Sequence, residues 1–139
     1  MAYRLLSLSE TPNNLLMWSY YADSHRGMVV RVSIDDPDAA VEPVRYVKSL
    51  RIDTNASNVV KEILTKKFAM WDHEQEHRAF IRNKSFVKVK IEELIFGLHT
   101  DLELKELLSS IAEKFCPDIP VRTIRRDELD TGERNDLDE

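Results

Sequence analysis

The sequence predicts an α+β fold, a small mixed or antiparallel sheet with about three helices packed on it. Two observations point there. Short β-branched or alternating runs, such as residues 28–34, are interspersed with helical apolar stripes, and the two kinds do not alternate in the regular β-α-β order of a parallel sheet. A third observation sets the boundaries. At 139 residues the chain suits one domain, read as 1–126, and residues 127–139 hold seven acids against the single base Arg134. That stretch is almost without apolar residues and is expected to be a disordered acidic tail.

Each element has its own signal. Residues 3–9 alternate Leu6 and Leu8 with Ser7 and Ser9, a strand. Pro12, Asn13 and Asn14 form a turn in which Thr11, Asn13 or Asn14 can cap the following helix. Residues 15–22 form that helix, with Leu15, Trp18 and Ala22 on one face. Gly27 offers the positive φ that would end it. Residues 28–34 read as a buried strand, 35–43 as a loop with two prolines, and 44–47 as a short strand. Residues 57–71 read as one helix, with Val60, Ile63, Leu64, Phe68 and Trp71 as its stripe. Residues 78–81 and 86–91 read as strands of a hairpin turning through Arg82-Asn83-Lys84-Ser85. Residues 94–98 form a further apolar segment. Asp101 opens a helix to Phe115 with the stripe Leu104, Leu107, Leu108 and Ile111. Pro117 and Pro120 stop it, and residues 121–124 form a last strand.

Composition removes several classes of function. The net charge is −5, and since residues 127–139 carry −6, the body is close to neutral. No basic stripe offers phosphate contacts, so nucleic acid is not an expected partner. No apolar run approaches the roughly 18 residues that span a bilayer, and no signal peptide is evident. Cys116 is the single cysteine. An internal disulfide is therefore impossible, a reducing cytoplasmic setting fits, and Cys116 itself reads as a small packing residue.

The densest chemistry lies in Trp71-Asp72-His73-Glu74-Gln75-Glu76-His77-Arg78. His73-Glu74-x-x-His77 has the spacing of a zinc-hydrolase helix, in which two histidines share a metal and the glutamate is general base. Its charged neighbours leave no buried helix face, and no third ligand is evident. If the helix ends near Trp71, period-2 geometry instead places Glu74, Glu76 and Arg78 on one strand face, with His73, Gln75 and His77 on the other. Paired carboxylates raise each other's pKa and divide acid and base roles, while an adjacent arginine holds one ionised. A structural ion pair is the alternative for the same trio.

A resemblance rests on these residues. The run Ser7-Leu8-Ser9-Glu10-Thr11-Pro12-Asn13-Asn14-Leu15-Leu16-Met17-Trp18-Ser19-Tyr20-Tyr21-Ala22-Asp23-Ser24-His25-Arg26-Gly27 resembles the central motif of a bacterial family, domain of unknown function 2971. Trp71-x-x-Glu74-x-Glu76-x-Arg78 and Ile91-Glu92-Glu93-Leu94-Ile95-Phe96-Gly97 resemble its later blocks. Family members usually carry a histidine where Tyr20 stands and an aromatic residue where His73 stands. This makes the His-Glu-x-x-His string a local variation. Most are also longer at the amino-terminal end, so the chain reads as a short member that would hold part of any shared site.

The resemblance brings no established activity. A strand entered through Glu-x-Glu is similar to the last motif of ADP-ribosyltransferases. By that likeness Glu76 would contact the nicotinamide ribose of NAD and Glu74 would activate the acceptor, with Trp18, Tyr20 and Tyr21 as stacking surfaces. The preferred expectation is a non-enzymatic module with no cofactor. It binds a small molecule or a protein, with Trp18, Tyr21 and Trp71 as binding residues and Glu74, Glu76 and Arg78 as the candidate catalytic set under the alternative. The strand at residues 3–9 is expected to be an open edge that supports a homodimer.

Overall fold

The computed structural model describes residues 3–55 and 57–130. It is an α+β structure. The chain divides into two compact units, residues 1–11 with 35–88 and residues 12–34 with 89–139. The backbone thus passes from one unit to the other at three points, and each unit joins segments distant in sequence.

The first unit is built on β1 (Tyr3–Ser9), β3 (Ala40–Pro43), β4 (Arg45–Val47), α2 (Val59–Leu64), β5 (Lys66–Phe68) and β6 (Glu76–Arg82). β6 is the middle strand of a three-stranded antiparallel sheet, with β1 and β3 on its two sides. Ala79, Phe80 and Ile81 are all buried, so both faces of β6 are covered. β4 and β5 form a separate parallel pair. A 3-10 turn, Ala69–Glu74, leads from β5 into β6.

The region expected as one helix over 57–71 is three elements. α2 is capped by the Asn58 side chain, which accepts from Lys61 N–H, and stops at Leu64. Lys66, Lys67 and Phe68 then extend as β5 beside Arg45–Val47. A helical apolar period exists here, but long-range strand pairing overrides it. The loop expected over 35–43 also contains a strand, β3, which donates to β6 despite ending in Pro43 at a sheet edge.

The second unit contains α1 (Leu15–Tyr21), β2 (Met28–Ile34), β7 (Val89–Phe96), α3 (Leu102–Phe115) and β8 (Val121–Thr123). β7 is central, antiparallel to β2 and parallel to β8. Trp18, Ala22, Ile95 and Ile124 form the core, with Val29, Leu98 and Leu129 against it. Asn14 is the cap of α1, its side chain accepting from Met17 N–H at 3.0 Å. Asp101 caps α3 in the same way through Leu104 N–H at 2.8 Å.

Four expectations are corrected here. β6 and β7 are not a hairpin, because they belong to different sheets. The connecting segment turns instead around buried Asp36, whose carboxylate accepts from Lys84 Nζ and from the Lys88 backbone N–H. β2 is half-exposed rather than buried, with Met28 and Val30 open, because it is an edge strand. The turn after α1 puts positive φ on Asp23, Ser24 and His25, not on Gly27. The acidic stretch begins ordered. Arg126–Glu128 form a 3-10 turn, Glu128 pairs with Arg122, and Asp130 N–H donates to Asn13 O. The rest of the expected tail, 131–139, lies outside the described residues. Among the described residues no helix is long and apolar enough to cross a membrane.

Candidate functional site

The candidate site is assembled in the first unit by one left-handed residue. Gln75, at φ 44°, closes the 3-10 turn and redirects the chain into β6. Glu74 therefore sits in the turn and Glu76 begins the strand, so the two are not on one strand face as period-2 geometry implied. They meet on a common cation instead. Lys67 of β5 donates to a Glu74 carboxylate oxygen and, at 3.2 Å, to Glu76 Oε2. Both glutamates are buried, at 3% and 6% exposure, which demands such partners.

Glu76 is held from three sides. Its Oε1 accepts from Ser7 Oγ and Arg78 Nε, each at 2.7 Å. Its Oε2 accepts from Arg78 Nη2 at 3.1 Å and from Lys67. Four donors thus fill the roughly four lone-pair sites that a carboxylate offers. The Arg78 fork is bidentate, and its remaining arm donates to Leu64 O at 2.5 Å, tying the end of α2 to β6. The Glu76 N–H donates to the Tyr46 hydroxyl at 2.7 Å, which adds β4. Ser9 Oγ donates to Glu74 O at 2.9 Å, which adds β1 a second time. Two carboxylates and two cations leave the cluster neutral.

The electrostatics follow from these contacts. Burial pushes the Glu76 carboxyl up, but the hydrogen bonds from Arg78, Ser7 and Lys67, with the charge of Arg78, bring it down to about 2. Of the two opposed effects expected here, mutual repulsion of the carboxylates and an adjacent arginine, the arginine prevails at Glu76. For Lys67, burial acts downward and the bonds to Glu74 and Glu76 overcome it, so the ammonium lies above its ordinary value. Burial raises the Tyr46 phenol against the lowering effect of the Glu76 N–H, and both carboxylate charges add to the rise. A glutamate held ionised to pH 2 is not a proton donor at neutral pH, and a lysine held protonated is not a nucleophile.

The other expected site residues divide between the units. Trp71 is half-buried beside the cluster, with Lys67 Nζ 5.3 Å from its ring centroid. His73 lies tilted against Trp71, with ring centroids 5.9 Å apart. Trp18 belongs to the second unit. It is 1% exposed, donates Nε1–H to Pro12 O and stacks on His25, so it presents no face to a ligand. Tyr20 and Tyr21, on the same helix, are exposed.

His73 and His77 do not share a helix. The 3-10 turn ends at Glu74, Gln75 is left-handed and His77 lies in β6, so the i, i+4 geometry needed for a shared metal is lost. Among the described residues no group of three or more His, Cys, Asp or Glu is placed to hold a metal ion.

Three members of the cluster escaped the sequence reading: Ser7, Tyr46 and Lys67. Only Lys67 carried a usable sign. It lies seven residues before Glu74, but its approach to the glutamates depends on β5, which a helix over 57–71 leaves out. Two open clefts lie on the same unit. One, of about 450 Å³, is lined by Asp38, Ala40, Asn58, Lys61, Phe80 and Arg82. The other, of about 290 Å³, runs along Glu42, Arg45, Asn58, Lys61, Glu62 and Thr65. Neither is lined by Glu74, Glu76 or Arg78. No family model, curated protein or solved structure matches this chain.

Proposed function

We propose that this chain is a non-enzymatic binding module and that Glu74, Glu76 and Arg78, with Lys67, Ser7 and Tyr46, are its internal brace. The observation that carries this reading is the saturation of Glu76. All four acceptor positions of the carboxylate are taken by side chains of the same unit, so none is left for a ribose hydroxyl or an acceptor proton. The brace links β1, β4, β5, β6 and the end of α2. Buried polar networks of this kind specify one arrangement when every member is satisfied.

The same residues carry the likeness to domain of unknown function 2971, and that relationship is part of the proposal. On this reading the shared Trp-x-x-Glu-x-Glu-x-Arg pattern is kept for folding: Trp71 shelters Lys67, Glu74 and Glu76 hold it, and Arg78 closes the loop. NAD turnover and auto-modification by the purified protein test the reading, with Glu76→Gln as control. The expected result is equal, background-level signal from both proteins. Turnover by the wild type that Glu76→Gln abolishes would establish the transferase alternative instead.

A further inference from the structure

We infer that β1 pairs with β1 of a second copy, antiparallel about Ser7, so that two three-stranded sheets join into one of six strands. The inference rests on the binding-module reading and names its partner.

The argument starts from hydrogen-bond direction. Glu10 N–H donates to Gln75 O at 3.1 Å, in line with the β1–β6 register in which Ser9 faces Glu76. In an antiparallel ladder the bonded residues alternate. Arg4, Leu6 and Leu8 therefore spend their backbone groups on β6, while those of Leu5, Ser7 and Ser9 point to the other side. On that side β1 has no strand partner among the described residues. The edge is seven residues long and contains no proline, bulge or inward-pointing lysine. These are the devices that normally blunt an open edge.

The side chains then choose the partner. A second β1 running antiparallel with Ser7 opposite Ser7 brings Leu5 opposite Ser9, Leu6 opposite Leu8 and Arg4 opposite Glu10. Three bonded pairs supply about six backbone hydrogen bonds. Leu5 and Leu6, at 40% and 36% exposure, gain cover. Arg4 and Glu10 are exposed, and neither makes an ion pair among the described residues. The two-fold axis makes two such pairs at once. A register centred on Leu6 instead sets Arg4 against Leu8, and it loses both. The strand is thus complementary to itself in sequence, in charge and in backbone direction, and an arbitrary extended peptide does not share that property.

Sedimentation equilibrium of the full chain over about 1–100 μM tests this. The wild type is expected to dimerise. Leu5→Pro removes an outward N–H and leaves the β6 ladder intact, so it is expected to be a monomer. Arg4→Glu places four acids together at the two ends of the joint and is expected to weaken dimerisation roughly tenfold or more. Arg4→Glu with Glu10→Arg restores the pairing with reversed polarity and is expected to recover wild-type association. Circular dichroism checks that Leu5→Pro is folded; the charge swap decides the matter if it is not. A wild-type monomer at 100 μM overturns the inference. So does a dimer indifferent to both the proline and the charge reversal, which would place the interface elsewhere. NAD turnover is the separate test of the binding-module reading, so the two can fail independently.

Discussion

At the residue scale the behaviour of Glu76 follows from who surrounds it. Lowering its carboxyl from the ordinary 4.5 to about 2 corresponds to about 3 kcal/mol of preference for the ionised form in the folded chain. The folded-state value is depressed, so this stability is present above pH 4.5 and is lost as the pH falls toward 2. Urea denaturation between pH 7 and pH 2 is expected to show that loss concentrated in this window, and a flat profile there would oppose it. Ser7→Ala removes one of the donors on Oε1 and is expected to cost about 2 kcal/mol. The same change is expected to raise the Glu76 titration, read by carboxyl chemical shifts. Glu74, Glu76, Arg78 and Trp71 were legible as a group because their spacing is compact. Their arrangement was not, since it depends on Ser7 and Tyr46, which lie 69 and 30 residues from Glu76 in sequence.

At the element scale local chemistry was readable where it acts locally. Asn14 and Asp101 cap the helices that follow them, and Trp18 with Ala22 marks the buried face of α1. Elements chosen by distant partners were not readable. β3 and β5 are three or four residues long and exist because β6 and β4 offer them ladders. The close of α1 is another case. Three consecutive residues, Asp23 to His25, adopt left-handed φ, a costly turn for side-chain-bearing residues. It is held partly by His99 N–H donating to His25 O at 2.9 Å and by the end of β7. There Gly97 passes so close that a Cβ would lie 2.1 Å from His25 O. Gly97→Ala is therefore expected to cost about 2–3 kcal/mol, because backbone and not a movable side chain must yield. Thermal unfolding measures this, and an unchanged melting temperature would mean that the approach is looser than described.

At the scale of the whole molecule the α+β class was legible from the mixture of periods, but the threading was not. Each unit is completed by a segment that arrives late in the sequence: β6 for β1, and β7 for β2. Hydrophobic patterning marks strands without naming their neighbours, which is why two adjacent strands read as a hairpin. The threading has a consequence. A fragment ending at residue 88 keeps every strand of the first unit but deprives Trp18 and β2 of Ile95 and β7. Limited proteolysis of that fragment is expected to cut within residues 12–34, and protection there would contradict the division.

The brace itself is tested most directly by the unfolding free energy of Glu76→Gln relative to wild type. Gln keeps the shape but leaves Lys67 and Arg78 short of their counter-charge in a buried site. The expected result is a loss of about 3 kcal/mol at pH 7 that shrinks toward zero as the pH falls from 4.5 to 2. Residues poised for catalysis behave in the opposite way, since relieving a strained site stabilises the fold. A Glu76→Gln protein as stable as wild type at pH 7, or more stable, would contradict the brace.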